Sequence, residues 1–247
     1  MMLRLLLLIL CLNAPLAFAA DAPPTADPAK VCIVLVGDST VAPNGGWGPG
    51  FEPLLTKEAK CINWARPGRS SISFVSEGWW TKALADKPNY VLIQFGHNDM
   101  PGKGPTRETD PKTTFPAAMA KYVDDARAAG AKPILITSLT RRLFSGGKIK
   151  SNLTEYADAV IKLAAEKKVP LIDLHARSIA ALDEIGPKAS EELNHVAKPK
   201  PGVPADPKDA KPDRTHLSPK GADLFGRIVA DDLIKVIPEL APFVRAK

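Results

Sequence analysis

Short apolar runs closed by glycine or polar turns alternate along the chain with stretches of helical periodicity. Val31 to Val36 is a β-branched apolar run bounded by Gly37, the pattern of a strand buried on both faces of a parallel sheet. Cys61–Ala65, Tyr90–Phe95, Pro133–Thr137 and Val169–Asp173 give four more such runs. Between them, Phe51 to Ala59 carries a weak helical pattern, and Ser70 to Leu84 forms short helical pieces. Trp79 and Trp80 are adjacent there, so at least one ring is expected to face solvent or a cleft. Phe115 to Ala129 is helical with Gly130 as its stop, Leu153 to Lys167 is amphipathic, and Ala176 to Leu193 is helical with an interruption at Gly186-Pro187. Ser218 caps a last helix that has Pro219 in its first turn and runs to about Val236. The alternation predicts an α/β fold with a five-stranded parallel sheet covered on both faces and functional loops at the strand carboxyl ends.

The flanks of this pattern differ from it. Residues 1–19 have a positive start, an apolar centre and a small-residue end at Ala17-Phe18-Ala19, the composition of a secretory signal cut after Ala19. Cys11 follows Leu10 rather than a small residue, which argues against lipoprotein processing. Residues 20–29 are a proline-rich, flexible lead-in, and residues 30–247 are expected to form one domain, which 247 residues with 45% hydrophobic side chains can supply with a core. Lys198 to Pro212, rich in Pro, Lys, Asp and Ala, has the composition of a solvated insertion. An exported protein, periplasmic or extracellular, is therefore expected, without stable membrane association. Export permits a disulfide between Cys32 and Cys61, with two buried free thiols as the alternative.

The formal net charge is +6, and loss of Arg4 with the leader lowers it by one. No lysine/arginine block or basic run interleaved with aromatics occurs, which argues against nucleic acid and for an acidic small molecule or polymer. The glycines of Pro43 to Gly50 fit neither the dinucleotide fingerprint nor the phosphate loop, and no zinc spacing or paired-carboxylate metal site is visible. Neither a metal nor a cofactor is expected.

Chemistry gathers at the strand ends. Gly37-Asp38-Ser39 follows the first strand, Arg66-Pro67-Gly68-Arg69 the second and Gly96-His97-Asn98-Asp99 the third. Gly-Asp-Ser alone is ordinary turn chemistry. Convergence of these turns, with Asp213 and His216 three residues apart on another segment, supplies a nucleophile, a base, a group to orient it and backbone donors. His97 is expected to shape its loop, Asp99 to serve as a turn or hydrogen-bonding residue, and His175 to be a weaker rival for the base. Trp47, between glycines, is expected at the surface where a sugar ring can stack. Arg66, Arg69, Arg141 and Arg142 lie at strand ends, where they are either solvated or available to substrate carboxylates.

Gly37-Asp38-Ser39, Gly68, Gly96-x-Asn98-Asp99 and Asp213-x-x-His216 resemble the four blocks of the SGNH, or GDSL-type, hydrolases, in the expected order. Within that group, Gly37-Asp38-Ser39-Thr40, Gly46-Trp47-Gly48, Asn63-x-Ala65-x-x-Gly68-Arg69-Ser70, Gly-His-Asn-Asp and Arg141-Arg142 are most similar to rhamnogalacturonan acetylesterases. The resemblance implies a three-layer, flavodoxin-like fold, with Ser39, Asp213 and His216 as a catalytic triad. It also implies an oxyanion hole from the Ser39 and Gly68 N–H groups and the Asn98 amide. The Lys198–Pro212 insertion is longer than the family pattern. On this reading the protein is a monomeric, metal-independent serine esterase that removes O-acetyl groups from an acidic, pectic polysaccharide or oligosaccharide through an acyl-enzyme. Trp47, Arg69, Arg141 and Arg142 are its expected substrate-binding residues. Esterases acting on acetyl xylan or acetylated oligosaccharides, lipases or thioesterases of the same superfamily, and a non-catalytic sugar-binding module are the alternatives. A neutral imidazole base implies a rate that falls in acid, through roughly pH 6 to 7.

Overall fold

The strand that begins at Val31 lies inside the sheet, second from one edge. β1 (Val31–Gly37) pairs in parallel with β2 (Ala59–Asn63) on one side and β3 (Tyr90–Gln94) on the other. β4 (Lys132–Ile136) and β5 (Leu171–Ile172) complete a five-stranded sheet of order β2-β1-β3-β4-β5, every pair parallel. The computed structural model describes residues 29–195 and 212–246. The leader at 1–19, the lead-in as far as residue 28 and the insertion from 198 to 211 lie outside the described residues.

Alternation along β1 sorts its side chains to two faces. Ile33 and Leu35 share a core with Trp47, with Phe51 of α1 (Gly48–Phe51), with Leu182 of α6 (Leu174–Ala189), and with Phe225, Val229 and Leu233 of α7 (Pro219–Val236). Val34 and Val36 face the other layer. There α2 (Ser71–Ser76) supplies Phe74, α3 (Trp79–Ala85) Trp80, α4 (Thr114–Ala128) Phe115, Met119 and Tyr122, and α5 (Thr154–Lys167) Tyr156 and Val160. The result is the expected α/β fold of three layers, with its loops gathered at the carboxyl edge of the sheet.

Register settles the cysteine pair. Cys32 stands opposite Lys60 and Cys61 opposite Ile33, so the two thiols point to opposite faces of the sheet. Both are free, and burial pushes the Cys61 thiol up to about 12. No disulfide joins them.

Other departures have local causes. β2 ends at Asn63 rather than Ala65 because the Asn63 side chain accepts from Ala65 N and donates to Val41 O, which turns the chain. The weak helical pattern of Phe51 to Ala59 yields a helix only through Phe51, followed by a single tight turn at Glu52–Leu54 that contains Pro53. Asp173 caps α6, its side chain accepting from Ala176 N, and Gly186 breaks the helix at φ 78° before Pro187. Ser218 caps α7 by accepting from Gly221 N, as expected. Trp80 is buried while Trp79 lies half-buried beneath the Arg66 guanidinium, 4.3 Å from its ring centre. The hairpin Phe144–Ser145/Lys148–Ile149 carries no periodicity long enough to reveal it.

α1 and α7 pack backbone to backbone. A Cβ placed on Gly50 would lie 2.0 Å from Ala222 O, and one on Gly226 would lie 2.4 Å from the Gly50 carbonyl carbon. Gly50→Ala is therefore expected to lower stability by about 1–3 kcal/mol, the usual cost of forcing extra volume into a packed interior. Urea denaturation reads this; a loss within a few tenths of a kcal/mol would contradict the packing described.

Candidate active site

β1 delivers Asp38, Ser39 and Thr40 to the sheet edge, and a buried relay of polar side chains fixes the turn they form. Asp38 Oδ1 accepts from Thr40 N at 2.8 Å and from Thr40 Oγ1 at 2.7 Å. Gln94 Nε2 donates to Thr40 Oγ1 at 2.7 Å, and Trp47 Nε1 donates to Gln94 Oε1 at 2.9 Å. Burial opposes the Asp38 charge, but the Thr40 N–H and O–H donated to it help hold its carboxyl below the ordinary range. Ser39 is left at the tip, 7% exposed.

Trp47 is thus not a surface platform for sugar. It is 0% exposed, packed edge-on against Phe51 at 5.9 Å between ring centres, with its N–H spent on Gln94. Gln94 itself was a legible signal, being the only polar, non-aromatic residue in an otherwise apolar strand run.

Asp213 and His216 arrive on β7 (Asp213–Leu217), which pairs antiparallel with β6 (Asn194–His195) rather than forming a loop. His216 Nε2 lies 2.8 Å from Ser39 Oγ, and its Nδ1 lies 2.6 Å from Asp213 Oδ2. Asp213 Oδ1 accepts from Thr215 N and His216 N, both at 3.0 Å. Burial works against the Asp213 charge; the donors from His216 and Thr215 outweigh it and keep the carboxyl below its usual range. Gly45, at φ 92°, lies against the imidazole stem: a Cβ there would be 3.1 Å from His216 Cβ, and its carbonyl accepts from Leu217 N at 2.8 Å.

Arg142 corrects a second expectation. It is 1% exposed and does not face substrate. Its Nε donates to Asn194 Oδ1 at 2.5 Å, and one Nη donates to both Asp213 O at 3.1 Å and His216 O at 2.5 Å. Burial lowers its pKa to about 10, which leaves it a cation at neutral pH. Arg142 therefore clamps the carbonyls of the two residues whose side chains meet Ser39. Asn194, the far end of that clamp, sits on a two-residue strand that gives no sequence signal.

The remaining strand-end turns meet at the same edge. Asn98 Nδ2 donates one hydrogen to Arg69 O at 3.1 Å and keeps the other. Among the described residues, the Ser39 and Gly68 N–H groups donate to no protein acceptor. Asp99 ties the turns together, accepting from Ser71 N and Oγ, Gly96 N and Thr109 Oγ1, while burial pushes its carboxyl up to about 7. Arg141 is half-buried, with Nη1 2.8 Å from Asn152 Oδ1 and Nε 3.3 Å from Thr215 Oγ1, beside the His216 segment. Arg69 is more exposed, its charge paired with Glu77 at 2.8 Å.

Two further histidines stay out of the relay. His97 is buried with Nδ1 3.6 Å from Asp38 Oδ2, too far for a hydrogen bond. His175 Nδ1 lies 3.1 Å from Ser138 O, and the ring makes no contact with Ser39. Burial pushes both imidazoles below their ordinary range. As pH falls, the unfolded chain takes up these protons first, so the stability they contribute is full above about pH 6.5 and is lost below it. His97→Gln should flatten the fall in folding free energy between about pH 7 and about pH 5. Urea midpoints across that range check this; an unchanged slope would contradict a buried neutral His97.

A nucleophile hydrogen-bonded to a base, a base held by a carboxylate, and three free N–H donors at one edge suit attack on a carbonyl carbon. The profile of the GDSL-like lipase/acylhydrolase family matches residues 35–224. The chain is 38% identical over 214 residues to the rhamnogalacturonan acetylesterase RhgT of Bacillus subtilis (strain 168), covering 81% of this chain and 88% of that protein. A probable rhamnogalacturonan acetylesterase of the same organism, YesY, is 34% identical over 206 residues, covering 80% and 90%. Among solved structures, the Bacillus subtilis protein YxiM superposes with a TM-score of 0.68 at 26% identity over 87% of this chain, which spans 59% of that one. A catalytic mutant of an acetylxylan esterase from Geobacillus stearothermophilus superposes at 0.60 with 16% identity, over 85% of this chain and 96% of that one, a likeness of fold.

Proposed function

Because the chain belongs to the GDSL-like lipase/acylhydrolase family and is a carboxylic ester hydrolase of the SGNH carbohydrate-esterase type, we propose that it is an exported acetylesterase acting on rhamnogalacturonan-type pectic polysaccharide. The observation that carries the reading is the relay Ser39 Oγ, His216 Nε2, His216 Nδ1, Asp213 Oδ2, with contacts of 2.8 and 2.6 Å. The substrate rests on the two Bacillus relatives and export on the composition of residues 1–19.

In this mechanism Ser39 Oγ attacks the acetyl carbonyl carbon as its proton passes to His216 Nε2. Negative charge gathers on the carbonyl oxygen, where Ser39 N–H, Gly68 N–H and the unspent Asn98 hydrogen receive it. One such donor is worth about 3 kcal/mol in comparable hydrolases. Asp213 holds Nδ1–H and so fixes the tautomer and steadies the imidazolium. Collapse breaks the bond to the sugar oxygen, which leaves with the proton from Nε2. Water then attacks acetyl-Ser39 with its proton going to Nε2, and acetate departs as Ser39 recovers that proton.

Acetate release from acetylated rhamnogalacturonan, acetylated homogalacturonan and acetyl xylan tests the proposal. Selective release from rhamnogalacturonan is expected, abolished in Ser39→Ala and lowered in kcat by about 100- to 1,000-fold in Asn98→Ala. Release confined to xylan would overturn the substrate and keep the mechanism. Preference for long acyl chains would favour a lipase or thioesterase, and undiminished release by Ser39→Ala would overturn the mechanism.

A further inference from the structure

Gly68 faces two ways. Its N–H is one of the proposed oxyanion donors, and it also lines a cleft of about 480 Å³ whose walls include Ser73, Ser76, Thr106 and Arg107, with Arg69 and Glu77 at the same cleft. Hydroxyl groups of Ser73, Ser76 and Thr106 stand in its walls beside apolar atoms, and two guanidinium groups reach it. They are not equivalent. Arg69 donates through Nε to Glu77 at 2.8 Å and through Nη1 to Pro67 O at 2.9 Å, so its charge is already matched.

Arg107 has no carboxylate partner among the described residues. Its Nε donates to Lys103 O at 2.8 Å and its Nη1 reaches Gly68 O at 3.4 Å, which leaves Nη2 and part of Nη1 unspent. The acid beside it in sequence, Glu108, is occupied by Gly104 N at 2.6 Å. The loop that carries Arg107 is anchored: Arg107 N donates to Gly104 O, Thr109 N to Asp99 O, and Tyr156 Oη to Thr109 O. A half-buried cation pinned by two carbonyls, with hydrogens to spare, is preorganised for an anion at little entropic cost.

We propose that Arg107 forms a carboxylate subsite of this cleft, taking the carboxylate of an acetylated uronic-acid residue and seating that sugar against Gly68. The proposal rests on the esterase reading above for its substrate, and it gives recognition of the acid to a residue outside the strand-end arginine pair. Arg141 remains near His216 through Thr215, and Arg142 is internal.

Calorimetric titration of the Ser39→Ala protein, which cannot consume the ligand, provides the test, with oligogalacturonate and its methyl-esterified counterpart as probes. The acid form is expected to bind about 10- to 100-fold more tightly than the ester, the range of a hydrogen-bonded charge pair. Arg107→Gln should collapse that ratio towards one, and Arg107→Lys should recover part of it. Equal binding of the two forms, no binding of either, or equal weakening of both by Arg107→Gln would overturn the proposal; the last would assign Arg107 a structural hold on the Gly68 loop. Turnover of 4-nitrophenyl acetate by the unaltered protein reports separately on the esterase reading, because its absence would sink that reading whatever the titration gives.

Discussion

The 2.8 Å contact between Ser39 Oγ and His216 Nε2 joins residues 177 positions apart, and most of the polar architecture at the sheet edge serves to hold its two ends. On the Ser39 side, Trp47, Gln94, Thr40 and Asp38 form one hydrogen-bonded series through the interior. Each member is buried, so removal of one would strand the next without a partner, at about 1–3 kcal/mol per stranded group. On the His216 side, β6 and β7 form a small ribbon apart from the main sheet, and Arg142 fastens its carbonyls from beneath. A charged side chain in that place is costly to desolvate, and its several acceptors offset the cost.

Much of this was legible in the chain. Parallel strands buried on both faces read as continuous apolar runs, so β1, β3 and β4 stand out with their ends close to where the pattern stops. The strand-end turns then follow from topology, since parallel strands place their carboxyl ends on one edge. Ser39, Asp213 and His216 converge there as their motifs indicate. What the pattern could not supply was the internal partner of each polar group. Trp47 between glycines looks exposed until Gln94 is seen to accept its N–H. Arg142 looks like its neighbour Arg141, yet one is enclosed and the other half-open. Cys32 and Cys61 sit on adjacent strands, but one step of register sends them to opposite faces.

The arginines show how one residue type divides its labour by what is near it. Arg66 lies over Trp79. Arg69 is matched by Glu77, and Arg142 spends Nε and Nη2 on Asn194 and backbone carbonyls, its buried Nη1 having no partner among the described residues. Arg141 is held by Asn152 and Thr215. Arg107 alone among these five borders the cleft at Gly68 with neither an acid nor a ring as its partner. A modest net charge of +6 conceals this distribution; the local pairing, rather than the sum, sets where an anion is favoured.

The central claim is that Ser39 is a nucleophile made reactive by His216. Labelling of the folded protein with a fluorophosphonate, followed by mass spectrometric location of the adduct, tests it most directly. The account predicts one adduct per chain, on Ser39, formed in the unaltered protein and lost in His216→Ala even though Ser39 is still present. Labelling that proceeds equally without His216, or an adduct on a different residue, would contradict it.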